Sequence, residues 1–269
     1  MTKRIDLFNS TYTNFTEQVL EAIRKETFGQ DIGQNSWLTL EEYDRFISWL
    51  HLAPEHHALE VASGSGGPAL YLANQTGCRV TGVDANESGV ATAAQSAVKS
   101  NQTDQVSFKL ADANAPLPFE ENTFDAVLCI DSMNHFPDRL SVFREWHRLL
   151  RPGGRAVFTD PVVITGPVTN DELALRSSIG LFLFVPPGVN EGLIASAGFQ
   201  LIHQEDVTEN AALISERWGK ARGRHKEALL QIEGEERFEG LQRFFAAVHR
   251  LTSERRLSRI VYLVEKPAG

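Results

Sequence analysis

Between residues 57 and 161 the chain alternates two patterns. Short apolar runs bounded by Gly, Pro, Asn or Asp are separated by longer stretches whose apolar residues recur every three or four positions. The runs at 57–62, 78–85, 105–113, 124–131 and 154–161 read as strands. Residues 86–101 read as a helix capped by Asn86, with Val90, Ala93, Ala94, Ala97 and Val98 at helical spacing. A second helix begins at Asp138 and buries Leu140, Phe143, Trp146 or His147, and Leu150, until Pro152, Gly153 and Gly154 turn the chain into the next strand. Alternating strands and helices predict a parallel sheet with crossover helices.

Outside this core, residues 1–55 carry a helical pattern with a polar break at 29–36. Residues 162–198 hold the apolar "SIGLFLFVPPG" and a short helix near 189–197. After a strand at 199–207, a charged stretch over 208–252 places Phe238, Leu241, Phe244, Phe245 and Val248 at helical spacing, and "RRLSRIVYLVEKP" closes the chain as a final strand. The charged run "EGEERFEG" reads as a solvated helix face or loop.

Composition narrows the class. The 269 residues are 42% hydrophobic and 23% charged, enough apolar content for a core. A formal net charge of −9 argues against gripping phosphate backbones or anionic lipid, so neither nucleic acid nor membrane is expected as a partner. The N-terminal residues lack a signal-peptide core, and the longest apolar run, 179–185, is far short of the roughly 20 residues of a membrane span. A cytoplasmic protein is expected. Cys78 and Cys129 both fall in strand-like runs. If those strands flank one neighbour they lie about twice the ~4.8 Å strand spacing apart, beyond the ~7 Å limit for a disulfide, so both read as buried free thiols.

At the end of the first strand, "GSGGPA" at 64–69 fits GxGxxA in a strand, turn and helix unit. Such a turn lets a ligand touch the backbone and points amides and a helix N-terminus at it. Asp84 lies about 20 residues further on, at the end of the second strand, where a carboxylate can accept from ribose hydroxyls. These features imply an adenosine-bearing cofactor, for which NAD and S-adenosylmethionine (SAM) both qualify.

Four segments in order carry a resemblance: "LEVASGSGG", "GVDAN", "LADANAPLPFEENTFDAVLCIDSMNH" and "LLRPGGRAVFTD". With them the chain resembles the class I SAM-dependent methyltransferases of the small-molecule type, the group of phosphoethanolamine, sarcosine–dimethylglycine and ubiquinone-biosynthesis enzymes. The resemblance implies an α/β, Rossmann-like doubly wound sheet of seven strands, mostly parallel with an antiparallel last strand, plus a helical cap. It implies one domain over 1–269: an N-terminal helical lid (1–54), a SAM-binding core (55–207), a helical cap insertion (208–252) and the last strand (253–269).

Position by position, it implies that Glu60, Ala62, Ser63, Gly64 and Gly66 border the methionine part and ribose, and that Asp84 takes the ribose hydroxyls. Ala85 would lie against adenine, Asp112 and the Ala113 amide would read its edge, and Ile130 would approach the amino-acid portion through its backbone. The family has glycine where Ala62 stands, and the expectation is that binding survives if Ala62 keeps a negative φ.

Methyl transfer from a sulfonium is an in-line displacement that needs positioning and exclusion of water, not a metal. The sequence has no HExxH or CxxC spacing among its eight histidines. A base helps when the nucleophile carries a proton, and "DSMNHF" at 131–136 is similar to the family segment in which an Asp and a His face the substrate, here Asp131 and His135. In the phosphoethanolamine enzymes the His is paired with an N-terminal Tyr, for which Tyr12 is the counterpart. Trp37 would close over the site from the N-terminal lid, or pack in the core. The "LFLFVPPG" loop and the Phe-rich helix would select a small-molecule acceptor, or, if exposed, form the face of a homodimer. The expected reaction is methyl transfer to a nitrogen or oxygen. An NAD-dependent oxidoreductase and a SAM-binding protein without catalysis are the alternatives.

Overall fold

The computed structural model describes residue 5 and residues 7–269. Seven strands form one sheet in the order β3-β2-β1-β4-β5-β7-β6. They are β1 (His57–Val61), β2 (Arg79–Asp84), β3 (Val106–Leu110), β4 (Phe124–Cys129), β5 (Leu150–Ile164), β6 (Gln200–Asp206) and β7 (Leu257–Glu265). β1 to β5 pair in parallel, and β7 runs antiparallel to both β5 and β6. This is the Rossmann-like, seven-stranded arrangement expected.

The helices are α1 (Phe8–Thr13), α2 (Gln18–Phe28), α3 (Leu40–Trp49), α4 (Gly67–Thr76), α5 (Glu87–Lys99), α6 (Arg139–Leu149), α7 (Asn170–Arg176), α8 (Val189–Ser196), α9 (Thr208–Arg224) and α10 (Lys226–Ser253). Alternate residues of the central strands face opposite sides. Leu59, Val61, Val127 and Cys129 pack with Phe143 and Trp146 of α6. Ala58, Ala126 and Leu128 pack with Tyr43 and Phe46 of α3 and Leu72 of α4. A third cluster joins the N-terminal segment to α9 and α10 through Trp37, Trp218, Phe238, Phe244 and Phe245. The Phe-rich stripe is therefore internal and forms no exposed dimer face. Both cysteines are free and buried, Cys78 standing one residue before β2.

Two helices bury stripes that only partly match those expected: Ala93, Ala97, Phe143 and Trp146 are buried as expected, and the rest shift. In α5 the buried residues are Gly89, Ala93 and Ala97, while Val98 is 67% exposed. The reason is close approach: a Cβ on Gly66 would lie 2.7 Å from that of Ala93, and one on Gly89 would lie 3.1 Å from the Gly64 carbonyl. Only small residues fit that face. In α6 the stripe is Arg139, Val142, Phe143, Trp146 and Leu149. Its strand partner also starts earlier than expected: Leu150 already pairs with Phe124, and the register jumps so that Arg155 meets Ala126. The "PGG" residues form the bulge that absorbs the difference, with Gly153 at φ +79.

A buried ion cluster ties the helical layer to the sheet. Arg259 of β7 donates from Nε to Asp131 Oδ1 at 2.6 Å and from Nη1 to both Glu42 oxygens at 2.7 Å. Asp131 follows β4, and Glu42 belongs to α3. The Arg259 side chain is 0% exposed, and those of its partners are nearly so. Removing one member of a buried pair strands the charge of the other. Arg259→Leu is expected to lower the unfolding free energy by about 3–5 kcal/mol, read by urea denaturation; a change below about 1 kcal/mol would refute the assignment.

Candidate active site

A cavity of about 370 Å³ opens at the carboxyl ends of β1, β2 and β4, the edge where ligands bind in open α/β sheets. The chain leaves β1 through Ala62 (φ +59), Gly64 (φ +52) and Gly66 (φ +78) before entering α4. Gly64 has to lack a side chain, since a Cβ there would stand 2.6 Å from the Tyr12 hydroxyl. Its amide donates to Asp84 Oδ2 at 2.8 Å, and the Asn86 amide donates to Asp84 Oδ1 at 2.8 Å. Asp84 thus clamps the glycine turn while its carboxylate borders the cavity. Burial raises its pKa, and those two amides oppose the rise.

Glu60, Ala62, Ser63, Gly64, Ala85, Asp112, Ala113 and Ile130 also border the cavity. Gly66 does not. It packs instead against Phe108 and Ala93, so its expected contact with the cofactor is corrected to a packing role. Asp112 is exposed at the rim, where Oδ1 accepts from the Asn114 amide and side chain, both at 2.9 Å. Ala62 takes the left-handed conformation, contrary to the negative φ on which cofactor binding was expected to rest. The turn therefore keeps the backbone that glycine would give, at a cost of about 1–2 kcal/mol for an L-residue.

Polar atoms without partners mark where a ligand fits. Glu60 Oε2, Ser63 Oγ and Asn134 Oδ1 are buried and form no hydrogen bond, and all three residues line the cavity. In proteins generally the large majority of buried polar groups find a partner. An adenosyl amino acid offers the matching groups: an ammonium, a carboxylate, hydroxyls and a ring edge. Glu60 is the most affected, its pKa pushed up to about 8 by burial and then by the Asp84 charge.

The opposite wall is aromatic. Trp37 stacks on Phe244 with centroids 6.4 Å apart and meets Trp218 and Phe245 edge-on, so it both packs in the cap and lines the cavity. His135 sits in a 3-10 turn, Met133–His135, between Phe8 at 5.5 Å and Phe182 at 5.0 Å. Tyr12 is buried, and burial, reinforced by Asp84, pushes its phenol well above the ordinary range. Asp131, expected to face the substrate, also lines the cavity. Both of its oxygens are engaged by the protein: Oδ1 by Arg259 and by Thr159 Oγ1 at 2.7 Å, Oδ2 by the Trp37 amide at 2.8 Å.

Sequence reasoning missed Asn35, Asn134, Phe8 and Arg176, which also line the cavity. Asn134 stands inside the "DSMNHF" segment; the others carry no motif.

Comparison with known proteins agrees with this geometry. Residues 59–158 match the profile of a family described as a methyltransferase domain. Methyltransferase GfsG of Streptomyces halstedii is 35% identical over 178 residues, covering 64% of this chain and 61% of that protein. The 27-O-demethylrifamycin SV methyltransferase of Amycolatopsis mediterranei (strain S699) is 29% identical over 258 residues, covering 90% of this chain and 92% of that one. Among solved structures, phosphoethanolamine N-methyltransferase 2 of Haemonchus contortus, in complex with phosphomonomethylethanolamine and S-adenosylhomocysteine, superposes with a TM-score of 0.80 at 20% identity. That match covers 97% of this chain and 60% of that one.

The fold is that of the class I SAM-dependent methyltransferases, and residues 59–158 match a methyltransferase domain. The curated relatives named above are methyltransferases, and the phosphoethanolamine N-methyltransferase 2 that shares the fold has been solved with S-adenosylhomocysteine and with S-adenosylmethionine. The nicotinamide and non-catalytic alternatives gain no support from these relatives.

The strain at Ala62 can be read directly. Ala62→Gly is expected to stabilise the protein by about 1 kcal/mol, the relief of the left-handed alanine less the added freedom of the unfolded chain. A urea midpoint equal to or below that of the wild type would show that the turn is not strained.

Proposed function

We propose that the protein, acting in the cytoplasm, transfers the methyl group of S-adenosylmethionine to an oxygen or nitrogen of a small organic acceptor seated against the aromatic cap. The observation that carries this reading is one cavity with two unlike walls. Glu60, Ser63, Gly64 and Asp84 line one, and Trp37, Phe182, Trp218, Phe244 and Phe245 line the other. A relative that aligns along 90% of the chain is named a 27-O-demethylrifamycin SV methyltransferase.

When bound, the cofactor supplies an electrophilic methyl carbon on a sulfonium. The chain's own residues hold, orient and dehydrate. Glu60 would receive the ammonium, Asp84 the ribose hydroxyls, and Asp112 with the Ala113 amide the adenine edge. The cap rings keep water from the reacting atoms, which have to stand about 3–3.5 Å apart. His135, on the cavity wall, takes the acceptor's proton. Tyr12 has a different role, because a phenol held this far up in pKa remains protonated and donates a hydrogen bond rather than serving as base.

His135→Ala is expected to lower turnover about a hundredfold or more, the usual scale of a lost general base, with SAM affinity unchanged. Formation of S-adenosylhomocysteine at the wild-type rate would remove His135 from that role. Glu60 yields a test without turnover. Its raised pKa means that the folded protein holds a proton at pH 7 which an incoming ammonium should expel. Calorimetry in buffers of different ionisation enthalpy should show up to about one proton released per SAM bound below pH 8, vanishing well above it and in Glu60→Gln. By the same linkage, protonation of Glu60 stabilises the free protein fully below about pH 4.5, and that contribution is lost as pH rises through about 8. No proton release at pH 7 would exclude Glu60 as the ammonium site.

A further inference from the structure

Arg176, the last residue of α7, is a cation set into the apolar wall of the cavity. It is 2% exposed. Its guanidinium carbon lies 4.9 Å from the ring centroid of Phe182, 5.3 Å from Phe244 and 5.9 Å from Trp37. Burial lowers its pKa to about 10, against the opposing pull of Asp131 and Asp160, so it remains charged at neutral pH. Both of those carboxylates are already in contact with other guanidinium groups, Asp131 with Arg259 and Asp160 with Arg139. Among the described residues the Arg176 side chain has no hydrogen bond or ion pair, and its Nε is buried without a partner.

A buried guanidinium is ordinarily paired, because its N–H donors lose water without recompense otherwise. Ring faces attract the charge but accept hydrogen bonds poorly. The missing acceptor therefore has to come from whatever fills the cavity. The neighbourhood also decides the sign. Asp131 also lines the cavity, but its charge is offset by the ion pair with Arg259, and Arg176 repels a second cation.

We propose that Arg176 anchors the methyl acceptor by an anionic oxygen group, specifically a carboxylate, and so selects acidic aromatic or other apolar acceptors over amines. This rests on the methyl-transfer reading above. A lone guanidinium in an apolar wall suits a monoanion, whose two oxygens match its fork of donors; a phosphate dianion would need further donors.

The test is calorimetry on the full chain saturated with S-adenosylhomocysteine, titrated with benzoate and with its neutral isostere benzamide. Benzoate is expected to bind at least tenfold more tightly to the wild type. The preference should disappear in Arg176→Gln and persist in part in Arg176→Lys, with S-adenosylhomocysteine affinity in each variant within twofold of the wild type. Equal binding of the two probes, no binding of benzoate, or a preference that survives in Arg176→Gln overturns the proposal. Should the glutamine variant fail to fold, the wild-type comparison of the two probes decides alone. Wild-type protein that fails to bind S-adenosylhomocysteine would overturn both readings, whereas cofactor binding without the benzoate preference overturns only this one.

Discussion

The Arg259 guanidinium, buried between Asp131 and Glu42, is the contact on which the site's shape depends. It reaches from the antiparallel β7 to the end of β4 and on to α3, elements that no local sequence pattern brings together. Through Asp131 Oδ2 the same cluster holds the Trp37 amide, so the N-terminal segment becomes a fixed wall of the cavity rather than a detached lid. The interaction is worth less as net stability than as geometry, since desolvating three charges offsets much of their attraction. What it secures is a single arrangement, because displacing Trp37 would leave a buried carboxylate oxygen without its donor.

Two residues at the cavity's sheet edge adopt a conformation that disfavours side chains. Ala62 follows β1 at φ +59 and Asp131 follows β4 at φ +55, and β1 and β4 are neighbours in the sheet. Strain of this kind persists only where surrounding contacts overdetermine the backbone. Asp131 has such contacts on both oxygens and on its amide, which donates to Thr159 Oγ1 at 2.7 Å. Ala62 has fewer, held chiefly by its neighbours: the Ser63 amide bonds the Val83 carbonyl, and the Gly64 amide bonds Asp84. Both kinks turn the chain away from the sheet at the same edge, and the space between them is where the ligand cavity opens.

The strands, the glycine turn and the acids were legible because each answers to local chemistry: unbroken apolar runs, a turn too tight for side chains, carboxylates at strand ends. The buried stripes of α5 and α6 were legible only in part, in Ala93, Ala97, Phe143 and Trp146, and for one reason. A hydrophobic period marks the greasiest face, whereas the closest packing in α5 falls on Gly89, Ala93 and Ala97, and in α6 Arg139 is interior because Asp160 and Asn190 receive it. Arg176, Arg259 and Glu42 were hidden for the same reason. A charged residue reads as solvent-facing until a distant partner, or an apolar wall, is seen to enclose it. Gly66 shows the converse error, a motif glycine required by Phe108 and Ala93 rather than by a ligand.

The charges around the cavity are sorted rather than mixed. Asp84 stands at the glycine turn beside Glu60, which burial keeps protonated until a ligand's ammonium expels the proton, and Arg176 stands among the cap rings. A ligand with a cationic and an anionic end can satisfy both poles in only one orientation, so the field fixes direction before shape is consulted. In the proposed methyl transfer that ordering would set the donor end against the sheet and the acceptor against the cap, with His135 on the cavity wall. The aromatic wall gives the acceptor area without polar competition, and the lone guanidinium within it gives one point of register. A cap made only of rings would hold an acceptor loosely and in several poses; a single buried cation removes that freedom.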